Sequence, residues 1–352
     1  MEGAGLMANQ WVEECLKGNT KCYVLVTGGT GSVGQAVVTR LIARGARVRV
    51  FSRDEAKQHE MRLSWNNHER LEFQVGDVRD YASVVQAVSG ACAVVHCAAL
   101  KHVPACEVAV HEAVRTNILG TQNLIRAICE SDNRVDVVVG ISTDKACNPA
   151  SVMGMTKAIM ERMLVEANLR KKDCRFVIVR FGNVVPSRGS VIPLFLEKIA
   201  RGEGLTVTHP QMTRFFMALS DAADLVLLAM DGMIGPGETL VPKLKSAKIV
   251  DVAKTLLGKR DNAITFGSMR PGEKLDEELV TAEEGGRSRS VGDYIIISPL
   301  LTELVSPYLQ NTFKYLPLAN GYDTRIREVA NRMDGKELRA FLKRALGKEF
   351  PR

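Results

Sequence analysis

Short apolar runs alternate with amphipathic segments along the first half of the chain, starting at residue 22. Such runs are typical of buried strands, and apolar positions spaced three and four residues apart are typical of helices. The predicted strands are residues 22–27, 47–51, 71–75, 93–98, 135–142 and 175–181, and the predicted helices are residues 33–44, 84–88, 111–130 and 151–168. Strands that alternate with helices in this way predict a parallel sheet of the α/β class.

The regular alternation ends near residue 183, beyond which prolines divide the chain into short elements. Only residues 220–230 and 247–257 keep a clear helical pattern there. We therefore predict an N-terminal extension at residues 1–20, a doubly wound nucleotide-binding domain at residues 21–183, and a smaller, irregular α/β substrate-binding domain at residues 184–352. The second domain is expected to interleave partly with the first.

The composition narrows the class of protein. The 352 residues are 46% hydrophobic and carry a formal charge of +7, with lysine and arginine spread evenly. That hydrophobic share excludes a disordered chain, and the even spread of cations argues against a nucleic-acid partner. No apolar run approaches the ~20 residues of a membrane helix, and the start of the chain lacks a signal peptide's apolar core, so we expect a cytoplasmic protein with no membrane partner. The eight cysteines and six histidines lack metal-ligand spacing, so no metal is expected.

A glycine-rich segment follows the first predicted strand. It reads TGGTGSVG, and its glycines at 28, 31 and 34 have the spacing G-x-x-G-x-x-G. Between a strand and a helix, such glycines allow a tight turn and bring helix N-terminal amides close to a pyrophosphate. The segment therefore predicts a Rossmann-type dinucleotide site. Its cofactor contacts are expected from Thr27, Gly28, Thr30, Gly31, Ser32, Val33 and Gly34.

The residues after the second predicted strand decide between the two nicotinamide dinucleotides. NAD sites place an acidic residue there for the ribose hydroxyls, whereas NADP sites place a cation for the 2′-phosphate. Ser52, Arg53 and Lys57 can hold a phosphate, and Asp54 leaves NAD as the alternative. We therefore favour NADP over NAD. The residues after the third and fourth strands are expected to meet the adenine and to let the backbone lie along the cofactor; they are Asp77, Val78, Ala98 and Ala99.

Six sequence motifs, taken in order, resemble those of the extended short-chain dehydrogenase/reductase family. They are Phe51-Ser52-Arg53-Asp54-Glu55, Ala98-Ala99-Leu100-Lys101-His102-Val103-Pro104, Ser142-Thr143-Asp144-Lys145-Ala146, Arg180-Phe181-Gly182-Asn183-Val184-Val185, Met212-Thr213-Arg214-Phe215 and Arg270-Pro271-Gly272-Glu273-Lys274. Within that family the chain is most similar to the UDP-N-acetylglucosamine 4,6-dehydratases that invert C5. The resemblance implies a dimer-based homo-oligomer, in some members a hexamer, that acts on a UDP-sugar for surface polysaccharide or glycan biosynthesis.

The resemblance also implies a role for each residue at the end of the fifth predicted strand. Thr143 hydrogen-bonds the 4-oxygen of the sugar, Asp144 serves the departing 6-hydroxyl, and Lys145 takes the C5 proton. Related dehydratases that retain the C5 configuration carry glutamate at the position of Lys145, so lysine implies inversion. Desolvation or a nearby cation is expected to lower the pKa of Lys145 toward neutral pH.

Lys157 matches the family lysine that bonds the nicotinamide ribose and acts with a tyrosine four residues earlier. That earlier position is Met153 here, as in capsular-polysaccharide members of the branch, and a thioether cannot exchange a catalytic proton. No tyrosine lies between residues 82 and 293. Three alternatives follow. Asp144, Lys145 or Lys157 deprotonates the 4-hydroxyl, directly or through water or the cofactor ribose; a tail tyrosine such as Tyr322 substitutes; or the protein binds nucleotide sugars without catalysis.

Substrate contacts are expected beside the cofactor site. The candidates are Lys101, which is also counted among the cofactor contacts, and Asn183, Arg188, Val191, Arg214, Arg270 and Glu273. The arginine forks suit phosphate oxygens, and Asn117 is expected to fix the backbone beneath the site. Together the motifs predict NADP-dependent 4,6-dehydration of UDP-N-acetylglucosamine with inversion at C5. A nucleotide-sugar epimerase or reductase is the alternative. It is less favoured, because simple 4-epimerisation does not need an Asp–Lys pair at the 6-carbon.

Overall fold

A nine-stranded sheet lies at the centre of the residues that the computed structural model describes, which are 22–130, 134–260, 263–304 and 331–351. The strands in chain order are β1 Tyr23–Thr27, β2 Val48–Ser52, β3 Leu71–Val75, β4 Ala91–His96, β5 Val137–Thr143, β6 Arg175–Phe181, β7 Asn183–Val185, β8 Leu205–Val207, β9 Thr213–Ala218, β10 Thr239–Pro242, β11 Ser246–Lys248, β12 Ile264–Phe266, β13 Ser288–Val291 and β14 Tyr294–Ile297. The large sheet has the order β13-β14-β10-β6-β5-β4-β1-β2-β3 and is parallel from β10 to β3. This order confirms the predicted doubly wound, Rossmann-type fold.

Helices cover both faces of the large sheet. The helices of the described residues are, in chain order, α1 Ser32–Ala43, α2 Glu55–Ser64, α3 Tyr81–Val88, α4 Val103–Val108, α5 Val110–Ala113, α6 Gly120–Cys129, α7 Val152–Arg170, α8 Val191–Ala200, α9 Leu219–Met230, α10 Ile249–Leu257, α11 Ala282–Gly285 and α12 Gly335–Leu346. The helix predicted at residues 111–130 is divided, because a π-helical turn at Val114–Leu119 separates α5 from α6. Among the described residues, every helix is either too short or too polar to cross a bilayer.

Alternating side chains of the central strands fill two apolar layers. Val24 and Val26 of β1 belong to the buried cluster that includes the apolar faces of α1 and α9. Tyr23 and Leu25 point to the opposite side, into the cluster formed with α3, α6 and α7. Successive strand residues face opposite ways, so a strand buried on both faces becomes a nearly continuous apolar run. That property is why the sequence pattern predicted the first six strands.

Residues beyond 183 build two different parts of the molecule. β10, β14 and β13 extend the large sheet past β6, so that sheet crosses the predicted domain boundary. The other strands form the sheets β11-β9-β7 and β12-β8, which pack with α8, α10 and α12 around a separate apolar cluster. Apart from β9, with six residues, the strands beyond residue 183 have only three or four residues, and β13 is polar with two exposed residues, so an apolar pattern did not reveal them.

A buried ionic cluster connects the two parts. Arg180 on β6 is 2% exposed. Its Nε and Nη2 donate to Glu161 of α7 at 3.0 and 2.6 Å, and its Nη1 and Nη2 donate to Glu284 of α11, both at 2.8 Å. It also donates to the carbonyl of Leu279 at 3.0 Å. Burial opposes the charge on Glu284, but the hydrogen bonds from Arg180 hold the pKa of Glu284 at about 2. All three charges are therefore satisfied inside the protein.

Removing Arg180 should be strongly destabilising. An Arg180→Ala substitution leaves two buried carboxylates without their cation, and breaking a buried ionic cluster in this way costs about 3–5 kcal/mol. We expect that loss in the free energy of unfolding, measured by urea denaturation. Arg201→Ala is the control, because Arg201 pairs with Glu197 on the surface and such pairs contribute at most about 1 kcal/mol. Equal losses in the two variants would contradict a structural role for the cluster.

Candidate active site

The glycine-rich segment forms a tight connection between β1 and α1. Gly28 has a φ of +65°, and a Cβ atom there would lie 2.7 Å from the amide nitrogen of Ala98. A Cβ atom on Gly34 would lie 2.5 Å from the carbonyl oxygen of Gly28. Gly31 is the residue before α1. Because no side chain caps this helix, its first amides are available to an anion. This geometry fits the predicted pyrophosphate cradle.

A cleft of about 540 Å³ opens at this segment and runs along the carboxyl ends of the parallel strands. Fifteen of the sixteen predicted cofactor residues line it. They are Gly28, Thr30, Gly31, Ser32, Val33, Gly34, Ser52, Arg53, Lys57, Asp77, Val78, Ala98, Ala99, Lys101 and Lys157. The same cleft is lined by Thr143, Lys145, Met153 and Asn183, so it brings the predicted cofactor and catalytic positions together.

Thr27 is the exception among the predicted cofactor residues. Its hydroxyl lies beneath the glycine-rich segment, 2.7 Å from Nδ1 of His96, and accepts from the amide of Ala98 at 3.3 Å. Nε2 of His96 lies 3.0 Å from the hydroxyl of Thr121. Burial, aided by the charge of Lys157, lowers the pKa of His96 to about 3, so the imidazole is neutral. Thr27 therefore joins β1 to β4 and does not face the cleft.

The end of β2 presents a hydroxyl and cations to the cleft. Asp54 caps α2: its Oδ1 accepts from the amide of Lys57 at 3.0 Å, and its Oδ2 pairs with the Lys57 ammonium. The side-chain amide of Gln58 donates to the Ser52 hydroxyl oxygen at 3.1 Å, which leaves the Ser52 proton free to be donated elsewhere. Arg53 is exposed at the cleft wall. Asp54 is thus occupied by α2, whereas Ser52 and Arg53 are available to a ligand.

The predicted catalytic residues lie where β5 ends in a short 3₁₀ turn. The Thr143 hydroxyl donates to Oδ1 of Asp144 at 2.8 Å, and Nζ of Lys145 donates to the same oxygen at 3.0 Å. Thr143 and Lys145 line the cleft, while Asp144 lies behind them with no exposed surface. The second carboxylate oxygen of Asp144 is buried without a hydrogen-bond partner. The three side chains form one connected group at the floor of the cleft.

Glu277 is a member of this group that the sequence analysis missed. It is 2% exposed, and its Oε1 lies 3.5 Å from Nζ of Lys145. Burial disfavours the charge on Lys145, but Asp144 and Glu277 outweigh it and raise the pKa of Lys145 above its ordinary value. The expected lowering of that pKa is therefore wrong for the structure without substrate. Glu277 lies close to the Arg270–Lys274 motif in sequence, but only the fold brings it to Lys145.

Met153 and Lys157 occupy the first two turns of α7. Met153 is buried, 4% exposed, against Cys106 and Ala113. Lys157 is 6% exposed, and its Nζ lies 3.1 Å from the sulfur of Met160. Burial lowers the pKa of Lys157 to about 8, although the charge of Glu161 opposes the shift. Near neutral pH a measurable share of Lys157 is therefore an uncharged amine that can accept a proton.

Two side chains fix the start of α7 against its neighbours. The amide side chain of Asn117 accepts from the Leu100 amide at 2.8 Å, donates to the Leu100 carbonyl at 3.0 Å, and donates to the Thr156 hydroxyl at 2.9 Å. Glu107 accepts from the amide of Val152 at 2.7 Å. The expected role of Asn117 in the backbone beneath the site is confirmed.

The predicted substrate residues are more dispersed than the cofactor residues. Lys101 and Asn183 line the cleft. The predicted residues outside its lining are Arg188, Val191, Arg214, Arg270 and Glu273. Arg214 is the clearest departure from its predicted diphosphate contact, because it is buried and donates to the carbonyls of residues 213, 274 and 275.

The other four positions are also absent from the cleft lining. Arg270 is exposed, and its amide donates to the carboxylate of Glu273 at 2.9 Å, so this pair stabilises its own turn. Arg188 donates from its amide to the Ser32 hydroxyl at 3.1 Å, and its carbonyl accepts from Lys101 at 2.9 Å. The pKa of Asp54 is lowered mainly by Lys57, and the charge of Arg188 adds to this effect, so Arg188 lies toward the end of β2. Val191 begins α8.

Within the described ranges, no three His, Cys, Asp or Glu side chains are grouped so as to hold a metal ion. The polar groups that converge on the cleft are instead amides, hydroxyls, amines and carboxylates. Such groups can bind a dinucleotide and a second anionic ligand, and they can move protons.

Comparisons with known proteins support this view of the cleft. Residues 24–299 match the family model described as "Polysaccharide biosynthesis protein". A protein named "UDP-glucose 4-epimerase" from Rickettsia bellii is 41% identical over 326 residues, which cover 90% of this chain and 94% of that protein. The X-ray structure of Pen from Bacillus thuringiensis superposes with a TM-score of 0.83 at 33% identity, covering 92% of this chain and 97% of that one.

A more distant structure shares the fold. It is DesIV, a dTDP-glucose 4,6-dehydratase from Streptomyces venezuelae with NAD and TYD bound, at a TM-score of 0.65 and 23% identity. The match covers 72% of this chain and 86% of that one. The curated relative is thus named as an epimerase, and the protein named as a dehydratase shares the fold.

The close contact between Gly28 and the backbone of Ala98, just after β4, gives a direct test of the cofactor site. Gly28→Ala would place a methyl group against the Ala98 backbone, and we expect it to weaken dinucleotide binding by about tenfold or more, measured by calorimetry. Gly258→Ala is a matched control, because Gly258 has a φ of +60° but nothing within 4 Å of its Cβ position. The control should lose only stability, because its φ of +60° and ψ of −116° strain a residue with a Cβ atom, and it should keep its affinity. Unchanged affinity in Gly28→Ala would contradict the proposed cradle.

Proposed function

This chain belongs to the polysaccharide biosynthesis protein family of extended short-chain dehydrogenases/reductases, which modify nucleotide sugars, and we propose that its reaction is 4,6-dehydration of UDP-N-acetylglucosamine with inversion at C5. The observation that carries the proposal is the Asp144–Lys145 ion pair on the cleft floor. A 4,6-dehydratase needs an acid and a base near C5 and C6. An enzyme that acts at C4 alone has no use for such a pair.

The proposed reaction has a fixed balance of atoms. The C4–H bond breaks as a hydride while the 4-hydroxyl loses its proton, and the 4-ketone that forms makes the C5 proton acidic. A base removes that proton as O6 leaves with a proton as water. The hydride then adds to C6, and C5 receives a proton from the opposite face. Bound NADP would supply the hydride acceptor and donor; every proton step falls to the protein.

Lys145 can act as a base despite its raised pKa, because it can pass its proton to Asp144, the other member of the ion pair. Transfer of one proton over the 3.0 Å between Lys145 and Asp144 converts the ion pair into a neutral amine and a neutral carboxylic acid. Burial disfavours the two charges, so closing the cleft over a sugar favours the neutral form. In that form Lys145 can take the C5 proton, and the buried Asp144 can pass its proton to O6 through the hydroxyl of Thr143, which bonds Asp144 and lines the cleft; this regenerates the ion pair.

Met153 leaves the 4-hydroxyl proton to another group. Lys157 is the best candidate, because its pKa of about 8 provides an uncharged amine near neutral pH one helical turn from Met153. Thr143 is expected to hydrogen-bond the 4-oxygen and orient it. Tyr322, the tail alternative, lies outside the described residues.

NADP is the proposed cofactor rather than NAD. Both oxygens of Asp54 are engaged with Lys57, which removes the acidic ribose ligand that an NAD site requires. Ser52 retains a proton to donate, and Arg53 offers a fork that suits a 2′-phosphate. The charge of Arg188 adds a further cation near the same end of the cleft.

The second candidate reaction is 4-epimerisation, which the name of the Rickettsia bellii relative favours. It would use the same cofactor site and the same sugar nucleotide. Epimerisation leaves C5 and C6 untouched, so isotope exchange at C5 separates the two reactions.

The decisive assay incubates the purified protein with UDP-N-acetylglucosamine in heavy water. We expect a product that has lost one water and carries deuterium at C5, read by mass spectrometry and NMR. Lys145→Ala should abolish both, since it removes the base, while Lys254→Ala on the exposed face of α10 should keep both. A product of unchanged mass would support the epimerase. Binding without any product would support a nucleotide-sugar-binding protein.

Cofactor choice has its own test. Arg53→Ala should weaken NADP binding by roughly 10–100-fold, because a hydrogen-bonded charge contributes about 1.5–3 kcal/mol. NAD lacks the 2′-phosphate, so its dissociation constant in the same variant should barely change and acts as the internal control. Equal weakening of both cofactors, measured by fluorescence titration, would reject the contact between Arg53 and the 2′-phosphate.

A further inference from the structure

We propose that Glu277 is a positioning residue that holds the Lys145 amine at the cleft and controls when that amine can accept the C5 proton. The proposal rests on the dehydratase function above. Glu277 does not line the cleft, so it does not touch the reacting atoms and acts only through Lys145.

Three acceptors on three segments surround the Lys145 ammonium. They are Oδ1 of Asp144 at 3.0 Å, Oδ1 of Asn183 at 3.4 Å and Oε1 of Glu277 at 3.5 Å. Asp144 precedes Lys145 in the turn after β5, Asn183 begins β7, and Glu277 comes from the segment that leads to α11. Contacts from three directions define the position of the amine, because a flexible lysine chain has no fixed direction of its own.

Glu277 is itself held by two cations. Nζ of Lys274 lies 3.2 Å from its Oε2, and Nε of Arg214 lies 4.0 Å from its Oε1. Lys274 also donates to the carbonyls of Cys147 at 2.9 Å and Asn148 at 3.2 Å, just after the catalytic turn. Arg214 is fixed by backbone carbonyls. These ion pairs hold the buried carboxylate beside Lys145, although its Oε2 has no hydrogen-bond partner among the described residues.

The charges around Lys145 determine the sign of the effect. The charged groups that act on Lys145 are the carboxylates of Asp144 and Glu277 and the cation of Arg214, while Lys274 pairs with the other oxygen of Glu277; Thr143 and Asn183 are neutral neighbours. If the charge of Glu277 is removed, the Lys145 ammonium keeps one carboxylate but still faces the charge of Arg214. The ammonium then becomes less stable, and the uncharged amine appears at lower pH.

Removing a cation should act in the opposite direction. Lys274→Met leaves Glu277 with one less competing cation, so more of the Glu277 charge acts on Lys145. The Lys145 ammonium then becomes more stable, and the uncharged amine appears at higher pH. A residue that merely supports packing would not produce shifts of opposite sign from these two substitutions.

The experiment measures Lys145 directly. Purified full-length protein is treated briefly with acetic anhydride across a range of pH, and acetylation of Lys145 is quantified by peptide mass spectrometry, because only the uncharged amine reacts. We expect the midpoint to move down by about one unit or more in Glu277→Gln and up in Lys274→Met. Glu278→Gln is the matched control, since Glu278 is the neighbouring carboxylate and accepts from Asn148 at 2.6 Å.

The same variants are then assayed for turnover in heavy water. With Glu277→Gln, the rising limb of the rate against pH should move in the same direction as the acetylation midpoint, and Glu277→Asp should restore part of the original profile. A midpoint that stays with wild type in both Glu277→Gln and Lys274→Met would overturn the proposal, whatever happens to turnover. If Glu277→Gln does not fold, the shift in Lys274→Met decides the question.

The two hypotheses fail separately. Absence of a dehydrated product in the wild-type protein removes the proposed function. The acetylation midpoints still report whether Glu277 governs the protonation of Lys145, because that measurement needs no substrate.

Discussion

The contacts of Arg180 with Glu161 and Glu284 join the parts of the molecule on which the cleft depends. Arg180 lies on the central strand β6, Glu161 on α7 and Glu284 on α11. The same α7 carries Lys157 one turn before Glu161, and the segment that precedes α11 carries Glu277. Because a buried guanidinium is stable only when its partners are in place, α7 and this segment must take up their positions together. The floor and the wall of the cleft are therefore assembled by one ionic cluster.

Burial has opposite consequences for the two lysines of the cleft. Lys157 lies beside a thioether, and the carboxylate nearest to it, Glu161, is committed to Arg180, so desolvation dominates and lowers the pKa to about 8. Lys145 is also buried, yet Asp144 and Glu277 keep it charged. The two environments drive the pKa values of similar groups apart, so at one pH Lys157 is partly uncharged while Lys145 keeps its proton until it passes it to Asp144. The unusual Met153 belongs to the same pattern, since an apolar wall strengthens the desolvation of Lys157.

At the cofactor end of the cleft, charged groups are also placed to be neutralised by a partner, but that partner is a ligand and not a side chain. Backbone amides at α1 and the exposed Arg53 present positive charge where a pyrophosphate and a 2′-phosphate would lie. The carboxylate of Asp54 at the same end is paired with Lys57 and caps the helix α2. The cleft is thus positively charged at its cofactor end, and its floor carries the groups that can exchange protons.

The amino-acid sequence predicted the places of the first six strands along the chain, the glycine-rich turn and the cluster of residues after β5. Each of these is local: strand burial appears as an apolar run, and β3 and β6 occur at the predicted residues. The partners of the buried polar and charged groups depend on the tertiary structure. It directed Arg214 inward to carbonyls, occupied Thr27 with His96, and brought Glu277 to Lys145. Spacing along the chain cannot predict such pairs, because a buried charge is matched to a partner by the folded path of the chain and not by proximity in sequence.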